Sequence, residues 1–432
     1  MTKAEKKVVG FVSRHILVFG FIAVSVVAFM VRYSFFDQRS GDWQIYLAKW
    51  IDQLKEHPGL KGIGEDIGEY NVPYMLFLNI AAKTSFNDLY EVKLFSIVFD
   101  YLLAAAGVVL VYRNSTRKAS GISLAVYGSI LLAPVAYIDS AWWSQCDSIF
   151  TFGIVMSLYF LTKEKYCSCW FWYGIAIAFK LQAVFFLPVL LIYYFTSKKM
   201  SILNVLIAAG TYVFMVSPAV IAGRGIKDTF SIYVKQTGLY SQLTLNMPNI
   251  HNIIPGDTID YFRPASIYLT AGVLGIAACL FIKRGYHTPY AYVTLTLWTL
   301  NVCVFLLPAM HERYIYPACI VSIIWAALGR NKWDIAIAAA INAASIRAWM
   351  VFMFNPGVNK VYIAFIYLVI IVILTGRLFS LKEEPAEEEA PAEKEETPAD
   401  KKEAPAEITD APAEENTSDE AKIVAEAVTA AE

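Results

Sequence analysis

Charge is scarce in this sequence. Asp, Glu, Lys and Arg make up 17% of the 432 residues, against a hydrophobic share of 57%. The core of a soluble protein of this length does not hold so much apolar surface, so lipid must cover the remainder. A net charge of one sign is also missing, the formal value being -1. The balance hides an asymmetry, because about half of the acidic side chains follow Leu381 and the portion before it is basic. That basic excess lies in short loops between apolar runs, which argues against nucleic acid as a partner. The six cysteines, Cys146, Cys167, Cys169, Cys279, Cys303 and Cys319, lie mostly inside apolar segments. Apart from Cys167 and Cys169 they lack metal-site spacing, and that pair reads as ordinary. Finally, no A-x-A-like cleavage site follows the basic start at Lys3, Lys6, Lys7 and Arg14. The apolar run 16–36 is therefore read as a retained first span and not as a cleaved signal.

Long apolar runs are abundant. Stretches close to the roughly 20 residues a bilayer requires recur at 16–36, 92–112, 120–139, 201–222, 265–282, 289–308, 334–354 and 361–379. Four shorter ones, 148–161, 170–182, 184–195 and 315–329, bring the expectation to about twelve transmembrane helices in an all-α polytopic bundle. An even number puts both termini on one side. Lys and Arg cluster at 3–14, 113–118, Lys163 and Lys165, Lys198 and Lys199, Lys283 and Arg284, Arg330 and Lys332, and Arg377 and Lys382. These are alternate loops, which assigns them and both termini to the cytoplasm. In the opposite loop 37–72, Trp43, Tyr46, Leu47, Trp50, Ile51 and Leu54 have helical spacing and predict an amphipathic helix on the outer leaflet. The segment 73–82 is too short to span and is expected to dip into the interface before the next span begins near Val92. Repeated Pro-Ala-Glu units then separate a membrane domain, 1–380, from an acidic segment, 381–432, whose composition predicts a disordered cytoplasmic tail.

Polar side chains at membrane depth are costly and mark functional cavities. Here they gather at the outer helix ends. Asp42, just after the first span, is placed to take a proton from an acceptor hydroxyl, the plainer alternative being a solvated loop aspartate. The run 141–147 joins two spans and combines Trp142 and Trp143 with Gln145 and Asp147. Aromatic faces meet the apolar patch of a sugar while amide and carboxylate bind its hydroxyls; an interfacial aromatic belt is the alternative for the tryptophans. Lys180, followed by Gln182, is a lone ammonium in apolar surroundings that wants an anion or snorkels to headgroups. His311, Glu312 and Arg313 occupy an outer turn after Pro308 and offer an imidazole, a carboxylate and a guanidinium suited to phosphate. His311 and Glu312 lack the i, i+3 or i, i+4 spacing of paired metal ligands, so no metal site and no cofactor is expected. Asp100 and Arg347 lie deeper in spans, and nothing in the sequence pairs them.

These segments together resemble the GT-C class of membrane glycosyltransferases, and most closely bacterial mannosyltransferase-like proteins related to the second mannosyltransferase of GPI-anchor synthesis. The resemblance rests on Ser40-Gly41-Asp42-Trp43 with Trp50, Tyr70-Asn71-Val72-Pro73-Tyr74, Trp143-Ser144-Gln145-Cys146-Asp147-Ser148, Phe179-Lys180-Leu181-Gln182, Asn246-Met247-Pro248-Asn249 and Met310-His311-Glu312-Arg313-Tyr314. It covers nearly all of 16–379 and is carried by the order of the motifs along the topology. It implies transfer of a hexose, mannose in the first instance, from a polyprenyl-phosphate-linked donor to a glycan, lipid or protein acceptor on the extracytoplasmic side of a plasma membrane, with inversion. It also implies that the first outer-loop acid, Asp42, is the base. Where such proteins often carry Asp-x-Asp or Glu-x-Asp, this sequence has Asp37-Gln-Arg-Ser-Gly-Asp42, which leaves divalent-metal dependence open. Ser144 stands where a glycine is expected.

As the bond to the lipid phosphate breaks, negative charge grows on the phosphate and the sugar becomes oxocarbenium-like. Lys180, His311 and Arg313 are accordingly the phosphate candidates. Trp143, Gln145 and Asp147, with Asn71, Tyr74, Gln182, Asn249 and Glu312, are the candidates for sugar and acceptor. A flippase or transporter of lipid-linked saccharides is the rival, but it needs a polar track toward the cytoplasmic side. The sequence has none.

Overall fold

The computed structural model describes residues 1–115, 120–238, 240, 242–254, 259–355 and 357–381. The chain divides into two units, Met1–Glu384 and Pro385–Glu432, and the expected tail lies outside the described residues. The first unit is almost entirely helical.

A short amphipathic helix, α1 (Lys3–Arg14), breaks at His15 into α2 (Ile16–Tyr33). After a loop come α3 (Ala48–Lys55), α4 (Val72–Ala81) and the long α5 (Asp88–Asn114). Next are α6 (Ser120–Leu131) and α7 (Pro134–Tyr137), which continues through a wide turn to Trp142. Then follow α8 (Asp147–Thr162), α9 (Tyr166–Phe179), α10 (Leu187–Ser197) and α11 (Val205–Ile221). The small α12 (Ile226–Phe230), α13 (Ile232–Gly238) and α14 (Ile250–Ile253) precede α15 (Ile259–Arg284) and α16 (Pro289–Leu306). The bundle ends with α17 (Tyr316–Gly329), α18 (Lys332–Phe354) and α19 (Lys360–Phe379).

Seven of these helices are long and apolar enough to cross a membrane, or eight if the pair 121–131 and 134–142, bent by 45°, counts as one span. Their exposed faces are apolar: Phe214, Tyr268, Ile276, Val369 and Val372 are each more than half exposed. In water such rows would aggregate; against acyl chains they need no other partner. The inner faces surround α16, nearly all of whose residues are buried. Small residues let the bundle close. A Cβ on Gly153 of α8 would meet the Ala176 Cβ at 2.9 Å, and one on Gly174 of α9 would meet the Ala208 carbonyl oxygen at 2.8 Å.

Two sequence expectations change in detail. The amphipathic helix forms, as the wide turn Trp43–Leu47 running into α3, but its apolar face packs on protein: Trp43, Leu47, Ile51 and Leu54 lie in a cluster with Tyr74, Met75 and Leu78. The segment after Asn71 is likewise a buried helix, α4, held between α3 and α11. Asp100 does find an arginine, though the partner is Arg32 of α2, 2.8 Å away, with both side chains buried and Ser140 donating to the same carboxylate oxygen at 2.6 Å.

Candidate functional site

Four chain breaks between helices bring the expected polar residues together, and each break has a local cause. Asp42 follows the end of α2, where the chain is pinned from two sides. Lys93 of α5, fully buried, donates to the carbonyls of Phe35 at 2.6 Å, Phe36 at 2.9 Å and Gln38 at 2.6 Å. Ser40 donates to the Trp143 carbonyl at 2.7 Å while its hydroxyl accepts from the Trp43 amide at 3.1 Å, tying the Asp42 turn to the 143–147 segment. In that segment Ser144 is left-handed, with φ 63°, a conformation that favours glycine. The Asp147 amide then bonds to the Asp139 carboxylate at 3.1 Å and starts α8. At Lys180 the backbone becomes extended, α9 stops, and a 3-10 turn, Leu181–Phe186, begins.

The fourth break holds His311, Glu312 and Arg313. Ala309 is left-handed, φ 57°, and leads into a two-residue strand, Met310–His311 (β2). This strand pairs in parallel with Thr244–Leu245 (β1), in the register Thr244 to Met310 and Leu245 to His311. Trp349 of α18 donates to the Glu312 carbonyl at 2.8 Å. Backbone strain of this kind collects at functional sites.

The side chains converge on one cavity of about 810 Å³. Asp42, Gln145, Lys180, Gln182, His311 and Arg313 all line it. Gln145 is the centre of the network. Its amide nitrogen donates to Asp42 Oδ2 at 2.6 Å, and its oxygen accepts from Tyr70 at 2.7 Å and from Arg313. Arg313 also lies 3.4 Å from Asp42 Oδ2 and 3.5 Å from Asp147 Oδ2. Its guanidinium stands 5.1 Å from the centre of the Trp143 ring, a cation–π distance. Lys180 reaches Asp147 Oδ1 at 2.5 Å, both side chains buried.

The contacts of Asp42 with Gln145 and Arg313 both use Oδ2, and Oδ1 has no protein partner among the described residues. That oxygen is available to a hydroxyl in the cavity. The cations differ from expectation in kind. Burial, helped by Arg313 and Lys180, pushes the His311 imidazole down to about 3, so at neutral pH it is uncharged and offers a hydrogen bond instead of a positive charge. Burial raises Glu312 to about 7, against the opposing pull of Arg313. Its Oε2 is buried without a hydrogen-bond partner.

The remaining expected residues lie behind the cavity wall. Trp143 and Asp147 support Arg313 and Lys180 from beneath. Asn71 caps α4 and bonds the Ala178 carbonyl at 2.9 Å and Tyr233 at 3.0 Å, and Tyr74 packs on Tyr70 at 4.8 Å with its hydroxyl unpartnered. Asn249 caps α14. These three shape the site from within and are not surface contacts. Tyr46, Trp50, Tyr70, Tyr240 and Arg263 also line the cavity without having been singled out as site residues. Lys93 was missed as well, although a lysine at the start of an apolar run carries the same signal of cost that drew attention to Asp100. Among the described residues no group of three or more His, Cys, Asp or Glu side chains could hold a metal ion. No protein-family model matches the chain, and no curated protein matches it significantly.

Proposed function

We propose that this chain is a membrane glycosyltransferase that moves a hexose, mannose in the first instance, from a polyprenyl-phosphate-linked donor to an acceptor hydroxyl. The proposal includes the topology that the alternating basic loops suggest: about twelve spans in a plasma membrane, both termini cytoplasmic, and the cavity on the extracytoplasmic side. The observation that carries it is Asp42 sharing one aromatic-walled cavity with Arg313 and Lys180, one carboxylate oxygen held and the other unpartnered. In this reading the acceptor O–H gives its proton to Asp42 Oδ1 and the oxygen attacks the anomeric carbon. The bond from that carbon to the phosphate oxygen breaks, and its electron pair leaves with the lipid phosphate. Gln145 fixes the base through Oδ2. Arg313 lies where it can turn toward the growing phosphate charge, and neutral His311 supplies a hydrogen bond. Tyr46, Trp50 and Tyr70 give the sugar a stacking wall.

The test is reconstitution in liposomes with polyprenyl-phosphate hexoses and a panel of glycan, lipid and protein acceptors. Wild type is expected to release polyprenyl phosphate in step with transfer. Arg313→Ala should be slowed by on the order of 100-fold, the usual loss for one removed oxyanion-type donor. Absence of transfer from every donor would remove the reading.

A further inference from the structure

We infer that Arg263, at the start of α15, holds the phosphate of the lipid-linked ligand, whose tail leaves the cavity between α15 and the Leu181–Phe186 turn. The inference rests on the reading above for the nature of the ligand, and its evidence is the distribution of charge within the cavity. Three permanent cations line the cavity, Lys180, Arg313 and Arg263. Two of them are already neutralised. Lys180 is paired with Asp147 at 2.5 Å, and Arg313 is shared by Asp42 and Asp147 at 3.4 and 3.5 Å. A phosphate seated on these two alone must either break a buried ion pair or bring further negative charge into a balanced cluster, and both are costly.

Arg263 is different. Its guanidinium donates only to backbone carbonyls, Thr237 at 3.4 Å and Tyr240. Its Nε is buried with no partner, and among the described residues no carboxylate lies within ion-pair distance. Glu69, the other acid lining the cavity beside Asp42, is exposed to solvent. Carbonyls orient a guanidinium without cancelling its charge, so Arg263 keeps a forked donor set matched to phosphate oxygens. Its neighbours supply the route for a tail. Ile267, one turn further along α15, and Val184 of the 3-10 turn are apolar, line the cavity and are 48% and 36% exposed. A ligand with its phosphate at Arg263 can run its apolar chain past these two into the surrounding acyl chains, while its sugar points inward to Asp42.

Binding of radiolabelled polyprenyl phosphate to the full-length protein in nanodiscs tests this, with polyprenol of the same length, phosphatidylglycerol and inorganic phosphate as competitors. Wild type should prefer polyprenyl phosphate to polyprenol. Arg263→Gln keeps an amide for the Tyr240 carbonyl but loses the charge, and should bind about tenfold more weakly. Arg263→Lys keeps the charge without the fork and should fall between the two. Equal binding by wild type and Arg263→Gln, or no preference over polyprenol, overturns the inference. Equal competition by phosphatidylglycerol or inorganic phosphate would replace it with a general headgroup or free-phosphate site. Loss of the glycosyltransferase reading looks different: binding would still depend on Arg263 while no hexose moved. Transfer that proceeds with binding indifferent to Arg263 would sink the inference alone.

Discussion

At the scale of single residues Lys180 and Arg313 form a balanced cluster with Asp42 and Asp147. Lys180 and Asp147 are the most deeply buried pair in it. Removing one partner strands the other, so Lys180→Met should destabilise the protein by about 3–5 kcal/mol, read as a fall in melting temperature in detergent. The double variant Lys180→Met, Asp147→Asn should recover much of that loss; equal melting of the single variant and wild type would show that the pair is not buried in solution. Ser144 adds a second expectation. Its left-handed backbone suits glycine, and its hydroxyl is buried without a partner. Ser144→Gly should therefore stabilise the protein by about 1 kcal/mol while leaving the cavity intact, and a lower melting temperature would contradict this. The position was already marked in the sequence, since the resemblance led to a glycine there, but its physical reason, a turn that must bend back to start α8, became visible only with the backbone. Which polar residues face the cavity was legible only in part. Asn71 and Asn249 looked like ligand contacts because they sit in polar motifs, whereas each is buried and spends its amide oxygen on a helix cap.

At the scale of elements, the turn between α16 and α17 carries two opposed titrations. Glu312 has its folded value raised from 4.5 to about 7, so folding favours its protonated form; the stability this gives is full below 4.5 and lost as pH rises through 7. His311 has its folded value lowered from 6.5 to about 3, so folding favours the neutral form; that stability is present above 6.5 and lost as pH falls through 3. Between 4.5 and 6.5 the two slopes oppose each other. Melting temperature across that window should fall with acid in Glu312→Gln, where only the histidine responds. It should rise with acid in His311→Asn, where only the glutamate does. Parallel profiles for both variants and wild type would show that neither group is shifted. Elements with a clean apolar period were legible in the sequence, as with the helix that contains Trp50 and Leu54. What they pack against was not, because an apolar face reads the same whether it meets lipid or the side chains of α4. The junction of α6 and α7 shows another limit. One uninterrupted apolar run became two helices meeting at 45°, since Pro134 cannot continue the hydrogen-bond ladder of α6.

For the molecule as a whole, composition made the membrane character plain, and seven helices of sufficient length and apolarity agree with it. The larger expected count depends on shorter helices such as α8 and α9, which are apolar but brief, and whose ends carry Asp147 and Lys180. Their brevity is tied to the site: a helix that stops early leaves room for a cavity at its end. The assembly of that cavity from residues as distant in sequence as Asp42 and Arg313 follows from helix packing that no local pattern encodes. The most direct measurement is the initial rate of hexose transfer in proteoliposomes by wild type and by Asp42→Asn, which preserves the shape of the side chain and removes its basicity. Wild-type transfer with a loss of about 100-fold or more in Asp42→Asn, at unchanged melting temperature, is the expected result. Transfer by Asp42→Asn at the wild-type rate would contradict it.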